Sequence, residues 1–170
     1  MEVEKWTRRV ELPKPEGYRC FGCGTMNPCG LKMSFYSQGE SVRSDIILND
    51  HHVGWENIAH GGIISTVLDE TMAWTVVAYR RVFFVTRSIE IRYLRPVQVN
   101  VPLTVIGEID PTPVAKGCGV VGTLVDGEGS KLAMAKAEMA FLPEKRLPLL
   151  PDKYRQDMER VFQQMQQLFG

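Results

Sequence analysis

The chain has 170 residues, 44% of them hydrophobic, with 20 Lys and Arg set against 20 Asp and Glu. It is long enough for one domain with a full core, and it has no bulk charge to draw it to nucleic acid or to an anionic membrane. The opening MEVEKWTRRVELP has no apolar run of the secretory kind and no segment approaches the length of a bilayer span, so the expected location is cytoplasmic, with no nucleic-acid or membrane partner.

Residues 1–29 read as an irregular arm, punctuated by Pro13, Pro15, Gly17 and the pair Asn27-Pro28. Cys20, Cys23 and Cys29 fall inside it, and Cys118 lies far downstream. Cys20 and Cys23 have the spacing of a zinc knuckle, and Cys29, His51, His52 or Cys118 would complete four ligands if the fold gathered them. Free thiols are the default in a cytoplasmic chain and no second knuckle pair exists, so the expectation is a glycine-rich turn with small cysteines and no bound metal. A redox pair is disfavoured, because no helix start follows Cys23 to lower its pKa.

Regular structure begins at residue 31. Leu31 to Tyr36 and Ser41 to Leu48 read as strands joined by a turn at Ser37-Gln38-Gly39-Glu40, with Val42, Ile46 and Leu48 as apolar positions. A loop through His51, His52, Gly54, Trp55 and Asn57 leads to the most informative stretch, residues 60–80. His60-Gly61-Gly62 opens a helix whose Ile63, Ile64, Val67, Leu68, Met72, Ala73, Trp74, Val76 and Val77 cover more than one face, the pattern of a buried helix. Asp69 and Glu70 stand near its middle, where an ionised carboxylate is costly unless hydrogen-bonded or paired.

Beyond the helix, Phe83 to Leu94 alternates Val85, Ser88 or Ile89, Ile91 and Tyr93 against Thr86, Arg87, Glu90, Arg92 and Arg95, which predicts a strand with one wet face, stopped by Pro96. Val99 to Ile109, Gly117 to Val125 and Ser130 to Phe141 read as three further strands of a meander. The last two are joined by the strong hairpin signal Asp126-Gly127-Glu128-Gly129. Pro143 to Pro151 is a stiff connector. Asp152 then caps a final helix whose Tyr154, Met158, Val161, Phe162, Met165 and Phe169 form one stripe, expected to pack on the body.

Helix N-termini present unpaired N–H groups and partial positive charge, and glycine admits close approach, so Gly61 and Gly62 read as an anion or carbonyl site. Asp69 lies about 12 Å further along the axis at about 1.5 Å per residue. One helix cannot bring both to one substrate atom. If both act on one carbonyl, the carboxylate comes from a second copy of the helix running antiparallel beside the first, which predicts a two-fold dimer with two composite sites.

Three motifs, Gly54-Trp55-Glu56-Asn57-Ile58-Ala59-His60-Gly61-Gly62, Ser65-Thr66-Val67-Leu68-Asp69-Glu70 and Thr86-Arg87-Ser88-Ile89-Glu90-Ile91-Arg92-Tyr93-Leu94-Arg95-Pro96, occur in this element order. Together they resemble the hotdog-fold thioesterase superfamily, in the PaaI-like (phenylacetate-pathway-like) branch of the 4-hydroxybenzoyl-CoA thioesterase group, over about residues 20–142. Asn27-Pro28-Cys29-Gly30-Leu31 is also similar to a segment often found before the first strand in that branch.

The resemblance implies an α+β hotdog fold, an antiparallel sheet wrapped around one long central helix, here with an extra C-terminal helix. With the elements read from the residues, this divides the chain into an irregular arm over 1–29, a hotdog domain over 30–142, and a proline-rich connector with amphipathic helix over 143–170, the arm and the last helix lying outside the resemblance. The resemblance implies a homodimer with a continuous sheet, with pairing of dimers into a homotetramer left open. The implied activity is hydrolysis of an acyl-CoA to the free acid and CoA without a cofactor. Carried over by motif, Gly62 is the main amide donor to the thioester carbonyl with Gly61 assisting, Asp69 the general base or nucleophile, and Thr86 a water-orienting hydroxyl. His60 shapes the loop or contacts the carbonyl side.

Asn57, Arg87 and Arg95 are candidate substrate-binding residues, with Arg80, Arg81 and Arg92 as further candidates for the CoA phosphates. Trp55, Trp74, Phe83 and Phe84 would line an aromatic or medium-chain acyl pocket. Many members carry an asparagine six residues before the motif histidine, and this chain has Gly54 there. Glu70, about 100° round the helix from Asp69, is expected to point elsewhere as a partner for an arginine.

Two other readings stay beside this one. A non-catalytic hotdog protein binding acyl-CoA or an acyl carrier protein would keep the glycine amides without needing Asp69, and an inert fold would carry a zinc-dependent interaction module in its cysteine segment. A dehydratase is disfavoured, since His60 stands at the wrong end of the helix to replace Asp69.

Overall fold

The glycine pair and the apolar run form one helix, α1 (Gly61–Arg80), with the bounds that the sequence implied. His60 caps its start, its Nδ1 accepting the Gly62 N–H at 2.9 Å. Its end is set by Arg81 in the left-handed region (φ 53°), whose N–H returns to the Val76 carbonyl at 3.1 Å. Val67, Leu68, Met72, Val76 and Ala78 are fully buried, each large apolar side chain contributing about 1.5–3 kcal/mol.

The computed structural model describes residues 8–169; the part of the expected irregular arm at residues 1–7, and Gly170, lie outside the described residues. Around α1 curls a seven-stranded antiparallel sheet of β1 (Val10–Glu11), β2 (Tyr36–Gln38), β3 (Ser41–Ile47), β6 (Phe84–Tyr93), β7 (Pro102–Asp110), β8 (Gly117–Asp126) and β9 (Lys131–Phe141), in the order β1-β2-β3-β7-β8-β9-β6. A separate two-stranded ribbon, β4 (Val53–Trp55) with β5 (Ile58–Ala59), precedes the helix. Val105, Val120, Leu124 and Met139 of the sheet close one core with the buried face of α1. Gly107 on β7 permits the close approach, since a Cβ there would strike Thr75 Oγ1.

Helix α2 (Asp152–Phe169) packs on this body as its stripe suggested, with Met158, Val161 and Met165 buried and the Phe162 ring 5.2 Å from that of Phe83. Asp152 is its first helical residue rather than its cap. The first helical bond runs from the Arg155 N–H to the Pro151 carbonyl, and the Asp152 carboxylate accepts from the Arg155 side chain.

Several expected elements differ. The run Leu31 to Phe35 is not a strand, because Lys32 takes a positive φ of 50° and the N–H groups of Leu31 and Met33 donate to the carbonyls of Phe21 and Gly22 in the arm. The arm in turn supplies β1, which pairs with β2. The loop before α1 contains a single 3-10 turn at Asp50–His52 and the ribbon β4–β5. β6 is not next to β7. It crosses to the far edge beside β9, and its residues are exposed on both faces rather than one.

Candidate active site

Asp69 is half-buried on α1, and its Oδ1 accepts a hydrogen bond of 3.0 Å from Thr86 Oγ1 at the start of β6. The register of β6 against β9 shifts between Thr86 and Ser88, so Arg87 is the extra residue of a bulge beside this pair. Bulges re-aim neighbouring side chains, and here the bulge borders the point where the strand side chain meets the helix carboxylate.

The helix mouth lies at the other end of β6. Tyr93 Oη is 3.1 Å from the Gly61 carbonyl and 2.8 Å from Ser65 Oγ. The Gly61 N–H, first in the helix, has no partner within it. The Gly62 N–H, expected to face a substrate, is engaged by His60 Nδ1. Gly54 has a packing reason of its own, since a Cβ there would lie 2.9 Å from the His60 Cα. Asn57 sits in the ribbon turn with a positive φ of 36°, its carbonyl accepting from the Val99 N–H. One chain therefore holds Asp69 with Thr86, and Gly61, Gly62 and His60 together, but does not bring the two groups to one point.

Arg87 and Arg95 flank opposite ends of β6 and both are exposed. Arg87 faces Glu138 at 3.8 Å and Arg92 faces Glu90 at 3.3 Å, exposed pairs of little energetic weight.

A cavity of about 410 Å³ lies between the arm, α1, the start of β6 and α2, walled by Trp74, Phe83, Phe84, Tyr154 and Phe162 and reaching Thr86. Three of the four aromatics expected to line an acyl pocket meet here. Trp55 does not; it is 79% exposed on the ribbon.

Glu70 corrects its expected role. Among the described residues it pairs with no arginine. Its carboxylate enters the cysteine turn, with Cys20 Sγ 3.6 Å from both oxygens. Burial pushes Glu70 up to about 7; a hydrogen bond with Cys23 opposes this, and the negative charges of Cys20 and Asp69 add to it. The Cys20 thiol is held well below the usual range, first by the Cys23 side chain donating to it and then by the Cys23 and Gly22 amides, while Cys23 is pushed up by Cys20 and by burial. A tight turn thus does what a helix start was expected to be needed for. Sequence reasoning missed this contact, and its one local sign was a glycine between the two cysteines.

A model of the thioesterase superfamily matches residues 56–111, from the ribbon turn past the end of β7. Comparison with curated proteins gives no match. Among solved structures, the chain is similar to a thioesterase superfamily protein at 20% identity, covering 68% of this chain and 56% of that one, with a TM-score of 0.62. The chain thus spans little more than half the length of that neighbour. It is also similar to the E. coli PaaI protein from the phenylacetic acid degradation operon, at 15% identity over 66% of this chain and 81% of the other, with a TM-score of 0.60. A third neighbour is a Streptococcus mutans protein bound to acetyl CoA, at 21% identity, 65% and 88% coverage and a TM-score of 0.58. The fold is the hotdog fold, and the thioesterase superfamily, which the motifs resembled, is the one whose model matches residues 56–111.

Proposed function

We propose that the chain is an acyl-CoA thioesterase that works as a two-fold dimer joined along β6. One observation carries the reading: the Asp69–Thr86 pair and the helix mouth lie at opposite ends of one unpaired, exposed strand edge. Ile89 and Tyr93 on one face of that strand are 38% and 53% exposed, and Val85, on the other face across the bulge, is 51% exposed, apolar side chains that a lone chain leaves wet. Two such edges paired antiparallel about a two-fold axis set the Thr86 end of one copy against the Tyr93 end of the other. Each Asp69 then faces the glycine amides of the other copy's α1.

In that composite site a thioester carbonyl accepts from the Gly61 N–H, and from the Gly62 N–H once the His60 ring turns away from it. Asp69 takes a proton from a water that Thr86 helps hold, and the water oxygen attacks the carbonyl carbon. The oxyanion rests on the amides, with a preorganised donor supplying about 3–4 kcal/mol, and collapse expels CoA, whose sulfur takes the proton held on Asp69, while the acid leaves. Attack by the Asp69 carboxylate itself, through an anhydride that water then opens, uses the same atoms. The aromatic cavity beside Thr86 suits the acyl group, and Arg87 and Arg95 suit the CoA phosphates. Acetyl CoA held by the Streptococcus mutans neighbour supports the ligand class.

The test is thiol release from short, medium, long and aryl acyl-CoA thioesters by wild type and Asp69→Asn. Turnover by the wild type, lost in the variant, supports the reading. Binding of acyl-CoA without turnover by either protein assigns the chain to the non-catalytic binders instead.

A further inference from the structure

We propose that Cys20, Cys23 and Glu70 form a binding site for one thiophilic divalent cation of the zinc class, which pins the arm to α1. One donor atom from each of the three lies within 4.8 Å of the other two, and Cys20 Sγ is 3.6 Å from both Glu70 oxygens. With Zn–S of about 2.3 Å and Zn–O of about 2.0 Å, the S···O edge of a tetrahedral site is about 3.5 Å and the S···S edge about 3.8 Å. The Cys20–Glu70 edge therefore already has the length of such a site's edge, and Cys23 stands within 4.8 Å of both to complete the face.

The backbone around it is shaped to the same end. The Gly24 N–H closes the turn onto the Cys20 carbonyl at 3.0 Å, and a Cβ on Gly24 would fall 2.5 Å from the Cys20 nitrogen. Gly22 leaves the opening through which the helix carboxylate reaches the thiols, since a Cβ there would fall 2.5 Å from Glu70 Oε2.

Charge points the same way. Among the described residues no ion pair involves Glu70. Lys14, the cation bonded to this turn, spends its ammonium on the carbonyls of Cys23 and Met33. Two thiols and a carboxylate thus share one wall of a cavity that Arg19 also lines without an ion pair to Glu70, and a dication balances them. Neither Cys29, Cys118, His51 nor His52 joins the group, so the ligand that completes the knuckle comes from the helix. Three protein ligands leave one position open, on a site whose members all line the cavity.

The experiment is titration of the reduced, metal-stripped protein with cobalt(II), reading the thiolate-to-metal charge-transfer band in the near ultraviolet, with elemental analysis of the protein as isolated. The expected result is a band that saturates at one cobalt per chain, is displaced by zinc, is absent from Cys20→Ser/Cys23→Ser and is unchanged in Cys29→Ser. Glu70→Gln, which keeps side-chain size and both thiols, is expected to weaken cobalt binding at least about tenfold, and circular dichroism checks that each variant is folded. The proposal is overturned if reduced wild type gives no band, if the double serine variant keeps it, or if Glu70→Gln binds as tightly as wild type. A Cys20–Cys23 disulfide in the isolated protein, with no cobalt uptake after reduction, makes the pair a redox couple instead. None of these outcomes bears on thioester hydrolysis, which is read separately.

Discussion

Thr86 and Asp69, 17 residues apart in sequence, share a hydrogen bond of 3.0 Å where the bulged start of β6 meets the middle of α1. The contact orients a half-buried carboxylate and puts a hydroxyl beside it, the two parts that water activation requires.

Replacing Asp69 by Asn is expected to lower thiol release by at least about 10²-fold with the fold and dimer intact. Thr86→Val removes a hydrogen bond to a charged group, about 1.5–3 kcal/mol, and is expected to lower kcat about 10- to 100-fold with little change in KM. Steady-state kinetics on the best acyl-CoA of the panel checks both. A KM effect alone would move Thr86 from the chemistry to substrate binding.

The exposed edge makes a separate prediction. Ile89 stands near the middle of β6, 38% exposed, and Ile89→Glu puts like charges face to face if two edges pair about a two-fold axis. Light scattering should show the variant as a monomer and the kinetic assay should show turnover lost with it. A monomeric variant of full activity would sink the composite site.

His60 offers a stability test of the helix start. Its ring accepts the Gly62 N–H, and loss of such a cap costs about 1 kcal/mol, or about 2–4 °C in Tm for a chain of this size. His60→Ala is expected to melt earlier by that amount while keeping turnover within about tenfold, because the freed amide remains where a carbonyl can use it. Thermal denaturation and the kinetic assay together decide between a capping residue and a chemical one.

Asp157 joins α2 to the arm. Its carboxylate accepts from Lys153 Nζ at 2.6 Å and from the Tyr18 hydroxyl at 2.6 Å, and lies 3.1 Å from Arg160. The Lys153 bond first, then that from Tyr18, hold its pKa below the usual 3.8. A carboxylate depressed in the folded state contributes stability that is fully present above its unfolded pKa and is lost as pH falls through its folded value. Asp157→Asn should therefore melt below wild type near neutral pH, with the gap closing as the pH falls below about 3.8. Melting curves across that range test it, and a gap independent of pH would mean that the loss is steric.

Much of the scaffold was legible before any coordinates. The bounds of α1 follow from a glycine pair, a dense apolar run and a following break, all local signals. β7, β8 and β9 came out within a few residues because alternation and turn residues mark them. Leu31 to Phe35 misled because its apolar pattern is that of a strand, whereas a left-handed Lys32 and bonds to the arm decide its path. The alternation of β6 holds from Ser88 to Tyr93, but the bulge at Arg87 turns Thr86 to the face of Ile89 and Tyr93, and the strand is an edge that the single chain leaves uncovered.

The sequence by itself determined the fold class, the helix that carries Asp69 and the glycines at its mouth, because periodicity and capping act over a few residues. Only the tertiary structure decided that β6 crosses to the outer edge, that Thr86 reaches Asp69 in the same chain, that His60 holds the Gly62 amide, and that Glu70 turns into the cysteine loop. Each of those depends on which segments distant in sequence come into register, and on the space a glycine such as Gly22 leaves between them.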